Sequence, residues 1–291
     1  VSLNVGCRNV DLNDPVQGVK IPLRLLHSTR ADARTERFGP YELDVATDAP
    51  VEGDRLPLVV ISHGGGGSSL TYRDLAAGLA RSGYVVALPE HPGDWRGDGS
   101  LSGKAANLEN RPRHICLTMD AAFADPVIGP RLLPGRVALI GHSMGGYTAL
   151  AVAGGKPYAG ARETEDGKPR PVAVSPDPRV CALILLAPAC GWFWRDDALA
   201  DIDLPIMLRT AEKDERASHL HADLIPRGVR NPGRVDHQTV PNAGHHSFQS
   251  PFPPAMTRPD FPPSQDPAGF DRLAYQAVLL DEILAFLHDK S

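Results

Sequence analysis

No apolar run in this 291-residue sequence approaches the roughly 20 residues that a membrane-spanning helix needs. A basic surplus is missing too. Thirty Lys and Arg against 35 Asp and Glu leave a formal charge of −5, which argues against a nucleic-acid partner. Cysteine is scarce: Cys7, Cys116, Cys181 and Cys190 are all there is, and no CxxC or Cys/His spacing suggests a metal site. Cys181 and Cys190 flank VCALILLAPAC, and an extended run of that length separates its ends by on the order of 30 Å, far beyond disulfide reach. Free buried thiols are therefore expected, which points to a reducing compartment. The sequence opens at Val1 without a charged-then-apolar leader. A cytoplasmic location is the expectation, with the periplasm or the exterior as the alternative if a leader was removed. Internal repeats are absent, and low complexity is confined to Pro-rich loops. What is present, 22% charged and 42% apolar residues, is ordinary for a globular enzyme able to bury a substantial core.

The dominant rhythm is a short apolar run, a loop, then an amphipathic stretch. LPLVVIS (56–62), YVVALP (84–89), RVALIG (136–141), VCALILLAP (180–188) and LPIMLRT (204–210) read as strands buried on both faces, because they are almost continuously apolar and rich in β-branched residues. Helical spacing falls between most of them. Leu75, Ala76 and Leu79 share one stripe, as do Met144, Tyr147, Leu150 and Ala151. Asp266-Pro267 reads as an N-cap and first helical residue for a C-terminal helix carrying Phe270, Leu273, Ala274, Ala277, Leu280, Leu284 and Leu287. KIPLRLLHS (20–28) and YELDVAT (41–47) are shorter and alternate, as antiparallel edge strands do. The pattern predicts one α/β domain over 1–291, with a mostly parallel central sheet flanked by helices on both faces. Two stretches break the rhythm: 155–179 is polar and rich in Gly and Pro, and 249–267 sets many prolines between apolar residues. Long excursions of this kind are either functional rims or surface segments pinned by proline.

Residues 141–145 read Gly-His-Ser-Met-Gly, at the end of one predicted strand and the start of one predicted helix. A serine on so sharp a turn is held in a strained conformation with its Oγ exposed, which suits a nucleophile at Ser143. The helix N-terminus also aims free N–H groups and its positive end at the same place. Ile61-Ser62-His63 followed by Gly64, Gly65, Gly66 and Gly67 leaves the first strong central strand. Backbone donors there approach a substrate oxygen without side-chain obstruction. The expected oxyanion donors are the N–H groups of Gly65 and Met144, with Gly66 as the substitute for Gly65. A phosphate cradle needs Gly-Lys-Ser/Thr, whereas this run closes on Gly67-Ser68-Ser69. His63 is expected to be a structural hydrogen-bonding residue.

A serine hydroxyl needs an adjacent base. With a nucleophile elbow on a parallel sheet, the partners follow in the order Ser, Asp/Glu, His. Asp214 follows the strand ending at 210, and His245 follows VDHQTVP (235–241), the last strand candidate. Asp214 and His245 thus satisfy order and placement together. Glu212 and Glu215 compete for the acid role and His246 for the base role. His219 and His221 are read as solvated helix-face residues, and no metal is expected.

With these positions placed, the chain resembles the α/β-hydrolase superfamily from about residue 20 to residue 288. More narrowly, it resembles bacterial hydrolases related to platelet-activating-factor acetylhydrolase and to dienelactone hydrolase. The residues that carry this are Ser62-His63-Gly64, Glu90-His91-Pro92-Gly93, Gly141-His142-Ser143-Met144-Gly145-Gly146, Asp214, and Gly244-His245 with Phe248 shortly after. The elbow is also similar to that of polyester-cleaving cutinases. Two departures stand out: dienelactone hydrolases carry cysteine where this chain has Ser143, and His246 stands where an apolar or aromatic residue is usual. The resemblance implies a cofactor-free serine esterase acting on a small-molecule ester and water, without naming the ester.

Short apolar esters are the expected substrates, with Trp192, Phe193 and Trp194 lining an acyl or alcohol pocket at the C-terminal edge of the sheet. Packing of these aromatics in the core or a cap is the competing reading. An amidase, thioesterase or lactonase with the same triad is the alternative activity, and a non-catalytic binding protein on this fold is the remote one.

Overall fold

The computed structural model describes residues 3–217 and 219–289. Its centre is a ten-stranded sheet. Six strands run parallel: β5 (Leu56–Ser62), β6 (Val85–Pro89), β7 (Leu132–His142), β10 (Val180–Leu186), β11 (Ile206–Ala211) and β12 (Val235–Val240). They lie in the order β12-β11-β10-β7-β5-β6. The N-terminal part extends the sheet beyond β6 by an antiparallel hairpin, β1 (Asn4–Asp14) and β2 (Val19–Thr29). It ends in a second antiparallel pair, β3 (Arg34–Phe38) and β4 (Tyr41–Thr47). The polar stretch after residue 155 holds only a two-residue ribbon, β8 (Tyr158–Ala159) with β9 (Arg170–Pro171).

Alternation along the central strands builds a core on each face. In β7, Val137 and Leu139 enter one apolar layer, while Ala138 and Ile140 enter the other. The first layer is covered by α2 (Ala105–Ala124), α3 (Met144–Val152) and α4 (His219–Gly228), through residues such as Ile115, Met119, Leu150 and Ile225. The second is covered by α1 (Arg73–Arg81) and α5 (Arg272–Asp289), through Leu75, Leu79, Leu279 and Ile283. Such strands are buried on both faces, which is why they read as unbroken apolar runs. Among the described residues, no helix is long and apolar enough to cross a membrane. All four cysteines are unpaired.

Two helices differ from the sequence expectation. The C-terminal helix begins at Arg272, not after Asp266-Pro267. Gly269 there adopts φ +86°, which breaks a helical path, and Asp271 caps the helix by accepting from the Ala274 amide at 3.0 Å. Asp266 instead pairs with Arg272 at 2.8 Å. The second difference is α2, a 20-residue helix with Pro112 in its interior. Its buried face sets Asn107, Arg111 and His114 beside the apolar Leu108, Ile115, Met119 and Ala122, so polar residues interrupt the stripe and Pro112 sits inside it.

Candidate active site

The end of β7 and the start of α3 meet at Ser143, whose backbone adopts φ 53°, ψ −118°. That is a costly conformation for a residue with a Cβ, and it persists because the surroundings fix it. The Ser143 amide donates to the Leu186 carbonyl at 3.1 Å, and its own carbonyl accepts from Ala189 at 2.8 Å. The turn is tight enough that a Cβ on Gly145 would fall 1.9 Å from the Ser62 carbonyl oxygen, and one on Gly141 2.2 Å from that of Gly145. Glycine is the residue these two positions accept.

Three loops at this edge of the sheet bring distant residues together. The Ser143 Oγ lies 2.9 Å from Nε2 of His245, and His245 Nδ1 lies 2.9 and 3.1 Å from the two Asp214 oxygens. An ionised carboxylate only accepts, so Nδ1 carries the proton and Nε2 is left to accept from the serine hydroxyl. Burial acts to raise the Asp214 carboxyl. Hydrogen bonds from His245 and from the amides of Ala217 and Arg216 outweigh it and hold the group below its usual range. Glu212 faces elsewhere, accepting from the Asn242 amide at 2.6 Å. His246 borders the cleft, but both its ring nitrogens are buried without a partner among the described residues. Burial, with the neighbouring His245, lowers its pKa to about 3, so its ring is neutral at physiological pH.

The glycine loop lies against the elbow. A Cβ on Gly64 would sit 3.3 Å from the Ser143 Cβ, and one on Gly65 3.7 Å from the Met144 Cβ. Among the described residues, the Gly65 and Met144 amides have no acceptor, whereas the Gly66 amide donates to Asp94 Oδ1 at 3.1 Å and the Gly67 amide to the Gly64 carbonyl at 3.1 Å. The loop is held from below by a polar cluster that the sequence did not reveal. Arg111, completely buried on α2, donates to Asp94 Oδ2 at 2.8 Å, to Thr148 Oγ1 at 3.0 Å and to the His63 carbonyl. Asn107 also donates to Asp94, at 2.8 Å. The Ser-His-Gly and Glu-His-Pro-Gly motifs interlock beside it. His63 donates to the Gly64 carbonyl at 2.8 Å and accepts from the His91 amide at 3.1 Å. Glu90 accepts from Ser68 Oγ at 2.8 Å and from the Ser69 amide at 3.1 Å.

The cleft above Ser143 encloses about 130 Å³. Gly64–Gly67 form one wall, and Phe252, Phe261 and Pro263 of the Pro-rich segment form another. Among the described residues, Arg96 and Arg216 line it and no Asp or Glu does. Trp192, Phe193 and Trp194 are not part of it. After β10 the chain turns at Ala187, with φ 42°, and runs along α3. There Trp192 and Phe193 pack on Tyr147 with ring centroids 5.0 and 5.5 Å away, and Trp194 meets Tyr158 in the 155–179 excursion. The competing reading, packing, describes these three aromatics. His221 accepts from the Cys190 amide at 3.2 Å. No cluster of metal-binding side chains occurs among the described residues.

Strand order, elbow and the loops that follow β11 and β12 define the α/β-hydrolase fold. A protein-family model described as Hydrolase_4, serine aminopeptidase S33, matches residues 54–164, which run from β5 through the elbow and α3. Two curated relatives match in part. The carbendazim hydrolyzing esterase of Nocardioides sp. (strain SG-4G) is 34% identical over 94 residues, 32% of this chain and 34% of that protein. Esterase YjfP of Escherichia coli (strain K12) is 36% identical over 104 residues, 33% of this chain and 39% of that protein. The matched stretch therefore spans little more than a third of either relative. Among solved structures, a ferulic acid esterase from Streptomyces cinnamoneus superposes with a TM-score of 0.72 at 20% identity, over 100% of this chain and 91% of the other. A dienelactone hydrolase from Anabaena variabilis ATCC 29413 superposes with a TM-score of 0.56 at 14% identity, over 97% of each chain. At these identities the likeness is one of fold.

Proposed function

We propose that this protein is a serine hydrolase that cleaves small carboxylic esters through an acyl-enzyme on Ser143. The carrying observation is the continuous array Ser143 Oγ, His245 Nε2, His245 Nδ1 and Asp214, with each link between 2.9 and 3.1 Å. In the first half-reaction Ser143 Oγ attacks the ester carbonyl as His245 takes its proton. The tetrahedral oxyanion sits against the amides of Gly65 and Met144, which have no acceptor among the described residues. Collapse expels the alcohol, which leaves with the proton from His245. Water then enters, gives its proton to His245 and attacks the acyl carbonyl, and the acid departs as the proton returns to Ser143. Asp214 keeps the imidazole in the required tautomer and stabilises its cationic form. Removing one oxyanion donor typically costs roughly 3 kcal/mol of transition-state stabilisation, so the free state of these two amides bears directly on rate.

The small cleft favours short acyl or alcohol groups, with an apolar part resting on Phe252 and Phe261. The partial relatives are described as esterases, which supports an ester over an amide. The described chain is read as one catalytic unit, and its four free thiols suit a reducing compartment. The test is covalent labelling by a fluorophosphonate together with turnover of 4-nitrophenyl acetate. Both are expected in the wild type and absent in Ser143→Ala. A wild type that is neither labelled nor active on any activated aryl ester refutes the reading. Matched ester, anilide and thioester substrates separate an esterase from an amidase or thioesterase.

A further inference from the structure

Tyr72 lies in no motif and takes no part in the chemistry above, yet its hydroxyl joins the three loops that supply it. The residue closes the 3-10 turn Ser69–Tyr72 just after the glycine loop, and it is fully buried. A phenol offers one donor and two acceptor positions. Its oxygen lies 2.8 Å from Nδ1 of His142, the residue before the nucleophile. His142 Nε2 lies 2.7 Å from the carbonyl oxygen of His245. That carbonyl only accepts, so Nε2 carries the imidazole proton. Burial keeps the His142 ring neutral, far below the usual imidazole range. Nδ1 must then accept, and the Tyr72 O–H donates to it. Gln249, Gly64 and Thr71 also interact electrostatically with the same hydroxyl. Burial raises the phenol to about 12, so it keeps its proton.

The groups this contact joins belong to different parts of the catalytic machinery. Tyr72 follows the loop that carries the Gly65 amide, and His142 is fused to Ser143. Through His142 the same hydroxyl also reaches the His245 main chain. We infer that Tyr72 is a positioning residue whose hydroxyl, relayed by His142, fixes the oxyanion loop, the nucleophile elbow and the histidine loop relative to one another. The inference rests on the serine-hydrolase reading. Catalytic groups have to be held within about 0.5 Å of productive geometry, and an oxyanion donor is useful only at hydrogen-bond distance from the developing charge. Loosening this junction therefore weakens the transition state, while ground-state binding in the cleft changes little.

The experiment compares Tyr72→Phe with Tyr147→Phe. Tyr147 supplies the control: another buried phenol, donating to the Leu108 carbonyl at 2.9 Å on the far side of α3. Both variants are expected to lose a similar amount of thermal stability. Tyr72→Phe is expected to lower kcat on 4-nitrophenyl acetate by about 10–100-fold with KM within threefold, and to slow fluorophosphonate labelling of Ser143 by a similar factor. Tyr147→Phe is expected to keep kcat within twofold. Should Tyr72→Phe not fold, His142→Leu against His142→Gln carries the same test. Glutamine retains a donor for the His245 carbonyl and should return most of the rate that leucine loses. The inference is overturned if Tyr72→Phe keeps kcat within threefold, if its loss lies wholly in KM, if the two tyrosine variants lose rate in step with stability, or if glutamine rescues nothing. A wild type that is neither labelled nor active is a different result, since it removes the serine-hydrolase reading itself.

Discussion

Replacing Arg111 with methionine isolates the contribution of the buried cluster under the glycine loop. The side chain is fully buried, and methionine fills much of its volume, so the change removes charge and hydrogen bonds more than packing. Three consequences follow from the geometry. Asp94, itself 1% exposed, loses the cation 2.8 Å away and keeps only neutral donors from Gly66 and Asn107. The His63 carbonyl loses its guanidinium donor, and Thr148 loses a partner at 3.0 Å. Removing one member of a buried ion pair typically costs 3–5 kcal/mol, because the other charge stays buried without its partner. At roughly 2.1 cal/mol/K per residue, 291 residues give an unfolding entropy of about 0.6 kcal/mol/K, so the melting temperature should fall by about 5–8 °C. The Gly66 amide is held away from the cleft by the same carboxylate. Disorder there should misplace the Gly65 donor and lower kcat by about 10²–10³-fold, measured well below the melting point so that the variant is folded. Arg111→Lys should recover only part of either effect, since one ammonium does not span Asp94, His63 and Thr148 as the guanidinium fork does. Differential scanning calorimetry with initial-rate assays at 25 °C checks both quantities. A melting temperature within 2 °C of wild type and kcat within threefold would show that the cluster does not hold the loop.

Asp214→Asn should leave the fold intact and lower kcat by about 10³–10⁴-fold, because the amide favours the wrong imidazole tautomer; near-normal turnover would move the acid role to another carboxylate. Asp14, Glu90, Asp125 and Asp214 are each held below their usual range, since hydrogen bonds and ion pairs outweigh burial. A depressed folded value stabilises above the unfolded pKa and is lost as pH falls through the folded one. The buried, neutral His91, His114, His142 and His246 are likewise held below the usual imidazole range, so the unfolded chain takes up protons before the folded one as pH falls. Stability measured by urea titration should therefore begin to fall below about pH 6.5 and fall further below about pH 4; a protein that grows more stable on acidification contradicts this. Burial raises the Cys7 and Cys116 thiols to about 11, so both should react with a disulfide reagent far more slowly in the native protein than after unfolding. Equal rates in the two states count against the packing described.

How much of this was legible beforehand depends on what kind of constraint each residue answers. The strands at β5, β6, β7, β10 and β11 were readable because burial on both faces leaves their sequences no freedom to be polar. That Ser143, Asp214 and His245 would meet was expected for a related reason: the proposed chemistry restricts the residue types, and sheet topology restricts which loops can carry them. Neither constraint acts on α2. Its inward face holds Asn107, Arg111 and His114 among Leu108, Ile115, Met119 and Ala122, so the rule that charged side chains face water fails there, and an interior proline reads as a helix breaker. Arg111 looks like a surface residue until Asp94, 17 positions earlier, is brought beside it by the fold. The aromatic run at 192–194 misled for the opposite reason. Its position after β10 was right for a pocket wall, but the left-handed turn at Ala187 sends it along α3 to Tyr147, while Phe252 and Phe261 arrive from a Pro-rich segment that has no period at all. Local sequence rules thus break at Arg111 and Asp94 under the glycine loop, and at Tyr72, whose hydroxyl is spent on loops rather than solvent. Places where a sequence violates the pattern of its own fold are where function is expected to have imposed a cost; here Arg111 reaches Met144 through Thr148, Tyr72 reaches His245 through His142, and Asp94 holds the Gly66 amide beside Gly65.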